Sequence, residues 1–167
     1  MSKKYTWIEK LEQYIPGFSG YKKRELARED DRLLRNYLIK LLVESKNRLE
    51  DAAASLVEFD FSLARRINIL ASDVRLAADK LKFAETGYAP HYNRVKVELK
   101  DLDKIKDIDG ELVELVNRIH ESSKHVYDSA KVSTVKPELM SPISVSLSKI
   151  GDVLERRVKV LRGWSNS

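Results

Sequence analysis

From Phe61 to Ala84 the apolar residues Leu63, Ile67, Leu70, Val74, Ala77, Leu81 and Ala84 recur at alternating steps of four and three. That spacing lines one side of an α-helix and forms the seam of a bundle; nothing in it alternates as a strand would. The preceding stretch carries Leu26, Leu33, Leu34, Tyr37, Leu38, Leu41, Leu42, Leu49, Ala52, Ala53 and Leu56, with no Gly or Pro between Tyr21 and Phe59. One helix of about 35 residues would be about 50 Å long. Only Phe59-Asp60 separates the two segments, and Asp is a residue type that caps a helix N-terminus, so an antiparallel hairpin is expected.

A third segment, from about Glu98 to Lys131, places Leu99, Leu102, Ile105, Ile108, Leu112, Leu115, Ile119 and Val126 on one stripe, with Gly110 inside it as a point of kinking. Val132 to Pro137 reads as a linker. Ser141-Pro142 then gives a start signal, a cap followed by Pro at the first helical position. Ile143, Leu147, Ile150, Leu154, Val158 and Leu161 follow at helical spacing. A short helix over Tyr5 to Tyr14 precedes the Pro16-Gly17 break. The fold expected is all-α, an antiparallel up-down-up-down four-helix bundle with a short extra N-terminal helix in one domain over 1–167. Its elements are a short helix 5–14 and long helices at about 22–58, 61–85, 98–131 and 141–162.

Composition removes whole classes of chemistry. With 167 residues there is room for one ordinary domain and not for two. Zero Cys excludes disulfide scaffolds, Cys-based zinc sites, iron–sulfur clusters and thiol nucleophiles. No stretch approaches the about 20 apolar residues that span a bilayer, and the opening MSKKYTWIEK lacks the apolar core of a signal peptide, so a soluble cytoplasmic protein is expected. Charged residues reach 34% while Gln occurs once, a balance found in thermophilic proteins. The formal charge is +5, unevenly spread: residues 61–97 carry +4, 98–131 carry −3 and 132–167 carry +3. The acidic segment lies between two basic ones in sequence, and in a sequential bundle it would lie between them in space.

Motifs that suggest chemistry dissolve on inspection. His120-Glu121-Ser122-Ser123-Lys124-His125 lacks the four-residue histidine spacing of a metalloprotease helix; five residues turn the second ring about 140° from the first. Tyr88, Asn117 and Ser122, three before His91, His120 and His125, remove the Glu-x-x-His pairs of di-iron bundles. The run Asp101 to Gly110 lacks the Gly and Glu of a calcium loop at positions six and twelve, so it reads as a solvated helix face. There is no phosphate-cradling loop and no nucleophile elbow. Asp30, Glu44 and Asp73 are carboxylates that could converge in a core, but nothing marks them as a set. No catalytic residue, cofactor or metal ligand is expected.

Two segments stand out. Lys22-Lys23-Arg24 begins the long second helix, where the dipole disfavours cations, with Glu25, Glu29 and Asp30 nearby in compensation. The connection from Thr86 to Val97 is long for a bundle and rich in Tyr, His, Arg and Lys. The expected topology brings both to one pole, together with the end of the last helix. Lys22, Lys23, Arg24, Tyr88, His91, Tyr92, Arg94, Lys96, Arg156 and Arg157 are therefore the candidate partner-binding residues, among Lys159, Arg162, Phe18, Tyr21 and Trp164. A structural alternative stands beside it: cations suit a helix C-terminus, and the aromatics, with Trp7, Tyr14 and Phe18, would plug the end of the core.

The segment Ile15-Pro16-Gly17-Phe18-Ser19-Gly20-Tyr21 and on through Arg35 resembles the opening of a family of uncharacterised bacterial and archaeal helical proteins. Gly87-Tyr88 through Val95-Lys96-Val97 to Leu102-Asp103 is similar to that family's second marker, departing from it at His91-Tyr92-Asn93. The resemblance implies a helical bundle in an intracellular setting and no chemistry.

The functional expectation is thus a non-enzymatic interaction or scaffold module that binds a protein through its basic, aromatic pole or a helix face. The alternative is sequence-independent binding of nucleic acid or an anionic membrane surface, which a pI near 9.3 permits. A homodimer is a further expectation: the second helix outruns its partners, and Leu41, Leu42 and Val43 in succession imply more than one buried face.

Overall fold

The computed structural model describes residues 5–22, 27–84 and 99–161. Among them the regular elements are all helical: α1 (Thr6–Tyr14), α2 (Ala27–Leu56), α3 (Phe61–Phe83), α4 (Leu99–Lys131), a short 3-10 helix (Pro137–Met140) and α5 (Ser141–Leu161). The chain is an up-down-up-down bundle of four long helices with a short helix laid against it.

Each boundary has a local cause. Asp60 Oδ1 accepts from the Leu63 N–H at 3.0 Å, capping α3 as its position in the sequence implies. Ser141, by contrast, is no cap. Its φ of −57° and ψ of −45° are already helical, because the 3-10 turn beginning at Pro137 runs straight into α5. Pro142 keeps its place in the first turn, where an N–H is not needed.

The seam residues of α3 are buried, and so are Leu34, Leu38, Leu42 and Leu49 of α2, Ile105, Leu112, Ile119 and Val126 of α4, and Ile143 and Ile150 of α5. All of these but Ile105 make one continuous core with Ile8 and Leu11 of α1, and Ile105 joins Tyr21, Ala27 and Leu102 in a smaller cluster at the pole. α4 runs unbroken through Gly110, which seats α1. A Cβ there would come within 2.8 Å of the Trp7 ring nitrogen, so the indole rests on the bare backbone. Leu41 and Leu42 are buried and Val43 is exposed, which leaves α2 with no second apolar stripe at this point.

Two of the four neighbour relations differ from those of a sequential ring. Packing joins α2 to α3, α2 to α4, α4 to α5 and, most thinly, α3 to α5. Hence α3 and α4 occupy opposite corners of the bundle. Cross-helix bonds fix the directions. Arg48 and Glu44 reach His120 while Tyr21, just before α2, reaches Asp109, so α2 and α4 are parallel. Arg156 meets Glu111, so α4 and α5 are antiparallel. The acidic helix therefore lies between α2 and α5, not between the two basic segments. Asp109 and Glu111 engage α5 rather than the basic side chains of α3.

Candidate functional site

The pole where α2 begins and α5 ends is built on buried charge. After α1, the chain turns through Gly17 (φ +83°), Gly20 (φ +65°) and Tyr21 (φ +61°). Positive φ is cheap for glycine and costly for tyrosine, so Tyr21 has to be held. Asp30 holds it from below: its carboxylate accepts from the Tyr21 N–H at 2.9 Å, the Ser19 N–H at 2.8 Å and the Ser19 hydroxyl. Asp109 holds it from across the bundle, accepting from the Tyr21 hydroxyl at 2.6 Å. The Tyr21 ring also meets Phe18 edge to face, with centroids 6.1 Å apart.

Arg157 occupies the centre of this pole at 3% exposure. Its Nε donates to Asp109 Oδ1 at 2.6 Å and its Nη2 to Asp109 Oδ2 at 3.1 Å, a two-point fork on α4. The same Nη2 pairs with Asp31 on α2. Asp31 in turn accepts from Arg35 Nε at 2.9 Å, and Arg35 Nη1 reaches the Leu81 carbonyl at 3.5 Å, near the end of α3. Two carboxylates and two guanidiniums thus tie all four long helices together.

Of the ten sequence-derived candidates, Lys23, Arg24, Tyr88, His91, Tyr92, Arg94 and Lys96 lie outside the described residues, as do Arg162 and Trp164. The three described members are engaged internally. Arg157 is buried in the pole rather than displayed on it, because two buried carboxylates require its charge. Arg156 lies on the surface and forks onto Glu111, at 2.5 Å and 3.2 Å. That bond holds the Glu111 carboxyl below the usual carboxylate range and pushes the guanidinium up. Lys22 pairs with Glu12 at 2.7 Å, which raises its ammonium pKa. Tyr14 does not help to plug the core; it stands in solvent, while Phe18 is buried.

Other sequence features fall into place as structure. Asp30, Glu44 and Asp73 do not converge: Asp30 is buried at the turn, Glu44 meets His120 Nε2 at 2.9 Å on the α2/α4 face, and Asp73 is exposed on α3. Asp109 breaks from the solvated face expected of its run and is fully buried. Among the described residues no group of three His, Asp or Glu is arranged to hold a metal ion.

A different surface comes forward along α3 and α5, which pack in parallel and thinly. Two hollows of about 330 and 510 Å³ open between them, sharing Lys80 and Gly151 as walls. Leu76, Phe83, Leu147, Leu154 and Val158 line them. On α3 the residues Phe61, Ile69, Leu76 and Phe83 are 68%, 55%, 58% and 65% exposed. On a helical wheel they fall within about 80° of one another, on the side opposite Ile67, Val74 and Leu81. Here α3 has a second apolar face. The signal was present in the sequence, where Ile69, Leu76 and Phe83 stand seven residues apart, off the seam. No protein-family model, curated protein or solved structure matches this chain.

Proposed function

We propose that this chain is a non-enzymatic, cytoplasmic helical-bundle interaction module that binds a protein through the trough between α3 and α5. One observation carries the reading. The exposed apolar residues Leu76 and Phe83 line hollows where two core helices pack thinly, and Ile69 lies one heptad along the same face of α3. Exposed contiguous apolar surface beside a groove is the usual mark of a binding face. The basic aromatic pole supports it less, since Lys22, Arg156 and Arg157 already have internal partners. Affinity purification from the native cell with the wild-type chain and with Leu76→Asp tests the reading. Partners captured by the first and lost by the second support it; identical capture removes the trough as the site.

A second reading, binding of nucleic acid or an anionic lipid surface, is favoured by one feature of α3. Arg65, Arg66, Arg75, Lys80 and Lys82 form no ion pair among the described residues, and an apolar face flanked by basic groups suits an anionic surface. Retention on nucleic acid or anionic vesicles that weakens with salt would support it, and no retention at low ionic strength would discard it.

A further inference from the structure

We propose that the α3/α5 face is the interface of a homodimer, so that the occupant of the trough is a second copy of this chain. The proposal rests on the reading of that trough as a binding face and names what fills it.

Gly151 is the first observation. Gly17 and Gly20 adopt left-handed backbone, and Gly110 makes room for Trp7. Gly151 has neither reason: it lies in the middle of α5, and a Cβ built on it meets nothing within 4 Å. Glycine is the weakest helix former after proline, so within one copy its place there weakens the helix with no return. A bare backbone on an outer face becomes useful when another backbone comes close to it.

Charge is the second. The trough is bordered by Asp73 and Glu155 and by Lys80 and Lys159, two of each sign, whereas the whole chain carries +5. Over the hollows themselves two copies meet without net repulsion; Arg65, Arg66, Arg75 and Lys82 of α3 lie outside that lining. A strongly anionic partner would find no net attraction within the trough itself.

Area is the third. α3 has 23 residues, and a two-helix face of that length, about 35 Å by about 20 Å, offers about 700 Å² per copy. Twice that lies within the about 1,200–2,000 Å² of specific, stable interfaces. Two-fold pairing uses the same face on both copies and closes on itself.

Sedimentation equilibrium of the full chain from about 1 µM to about 500 µM tests this, since dimerisation follows mass action. The expected result is a weight-average mass that climbs from 19.2 kDa toward twice that value. Gly151→Leu fills open space with a better helix former, so at dilutions where both proteins are monomeric it should melt no lower than wild type. It is expected to raise the dissociation constant at least tenfold, as is Leu76→Asp, while Lys104→Glu on the exposed side of α4 leaves it unchanged. A chain that is monomeric at every concentration overturns the proposal, and so do Gly151→Leu and Leu76→Asp proteins that dimerise as well as wild type. If the chain is monomeric and Leu76→Asp still loses a captured protein, the second copy is ruled out and the binding face remains. If both chains then capture the same proteins, both readings fail together.

Discussion

Arg157 and Asp31 lie 126 residues apart in the chain and form a buried ion pair across the diagonal of the bundle, from the last helix to the second. α2 and α5 are opposite corners, so this pair passes through the core rather than along its surface. Removing the guanidinium would leave the buried Asp109 with the Tyr21 hydroxyl but no cation, and Asp31 with Arg35 as its remaining partner; breaking a buried pair in this way costs about 3–5 kcal/mol. Arg157→Ala is therefore expected to lose most of the chain's stability in urea denaturation. Arg157→Lys keeps the charge and loses the fork on Asp109, and should fall between the two.

The turn at the pole gives a paired test. Gly17 and Gly20 both have positive φ, so alanine at either position carries about 1–2 kcal/mol of backbone strain. At Gly17 the added Cβ stops 3.8 Å from Leu33; at Gly20 it comes to 2.2 Å from Ile8 Cγ2. Gly20→Ala is thus expected to cost about 1–3 kcal/mol more than Gly17→Ala, from overpacking. In an Ile8→Ala background that excess should vanish, which a double-mutant cycle measures.

Asp60→Ala deletes the only side-chain bond to the first turn of α3 that its cap provides. A loss of about 1 kcal/mol is expected, with Asp60→Ser keeping most of it. In a chain of this size the melting temperature should drop by about 2–4 °C.

Acid should weaken the α4/α5 seam at the Glu111–Arg156 pair. The Arg156 bond holds the Glu111 carboxyl below its ordinary value. A group depressed on folding stabilises the protein above its unfolded pKa, about 4.3 here, and that contribution is lost as pH falls through the folded value. The pair is half exposed, so it contributes about 0.2–1 kcal/mol. Glu111→Gln should be less stable than wild type near neutral pH, and the gap should close in acid. A gap that persists unchanged below the folded pKa would show that the pair acts by packing and not by charge.

Helix type, order and the α3 cap were legible from spacing and residue chemistry alone, because the seams of α3, α4 and α5 repeat strictly and Asp60 stands between two of them. Which helices would be neighbours was not, since periodicity orients a helix toward a core without saying what lies across it. The buried charge escaped for a related reason. Asp109 sits in a run of solvated acids and Arg157 in a basic C-terminal turn, and only the diagonal contact tells them apart from their neighbours. The trough is the intermediate case: the seven-residue spacing of Ile69, Leu76 and Phe83 was there to be read, but the stronger seam on the other side of α3 explained the helix without it.

With α3 and α4 at opposite corners, the helices form two stacked hairpins, α2 with α3 and α4 with α5, in which helices of like direction run side by side. Pairing within each hairpin is local in sequence and forms early, whereas Arg157 meets Asp31 only when the hairpins dock. The pole then behaves as a clasp on a nearly finished structure. Cutting it with Arg157→Ala should speed unfolding and leave the folding rate almost untouched. The lifetime of the folded chain would be set at the clasp, and the time it takes to fold would be set in the hairpins.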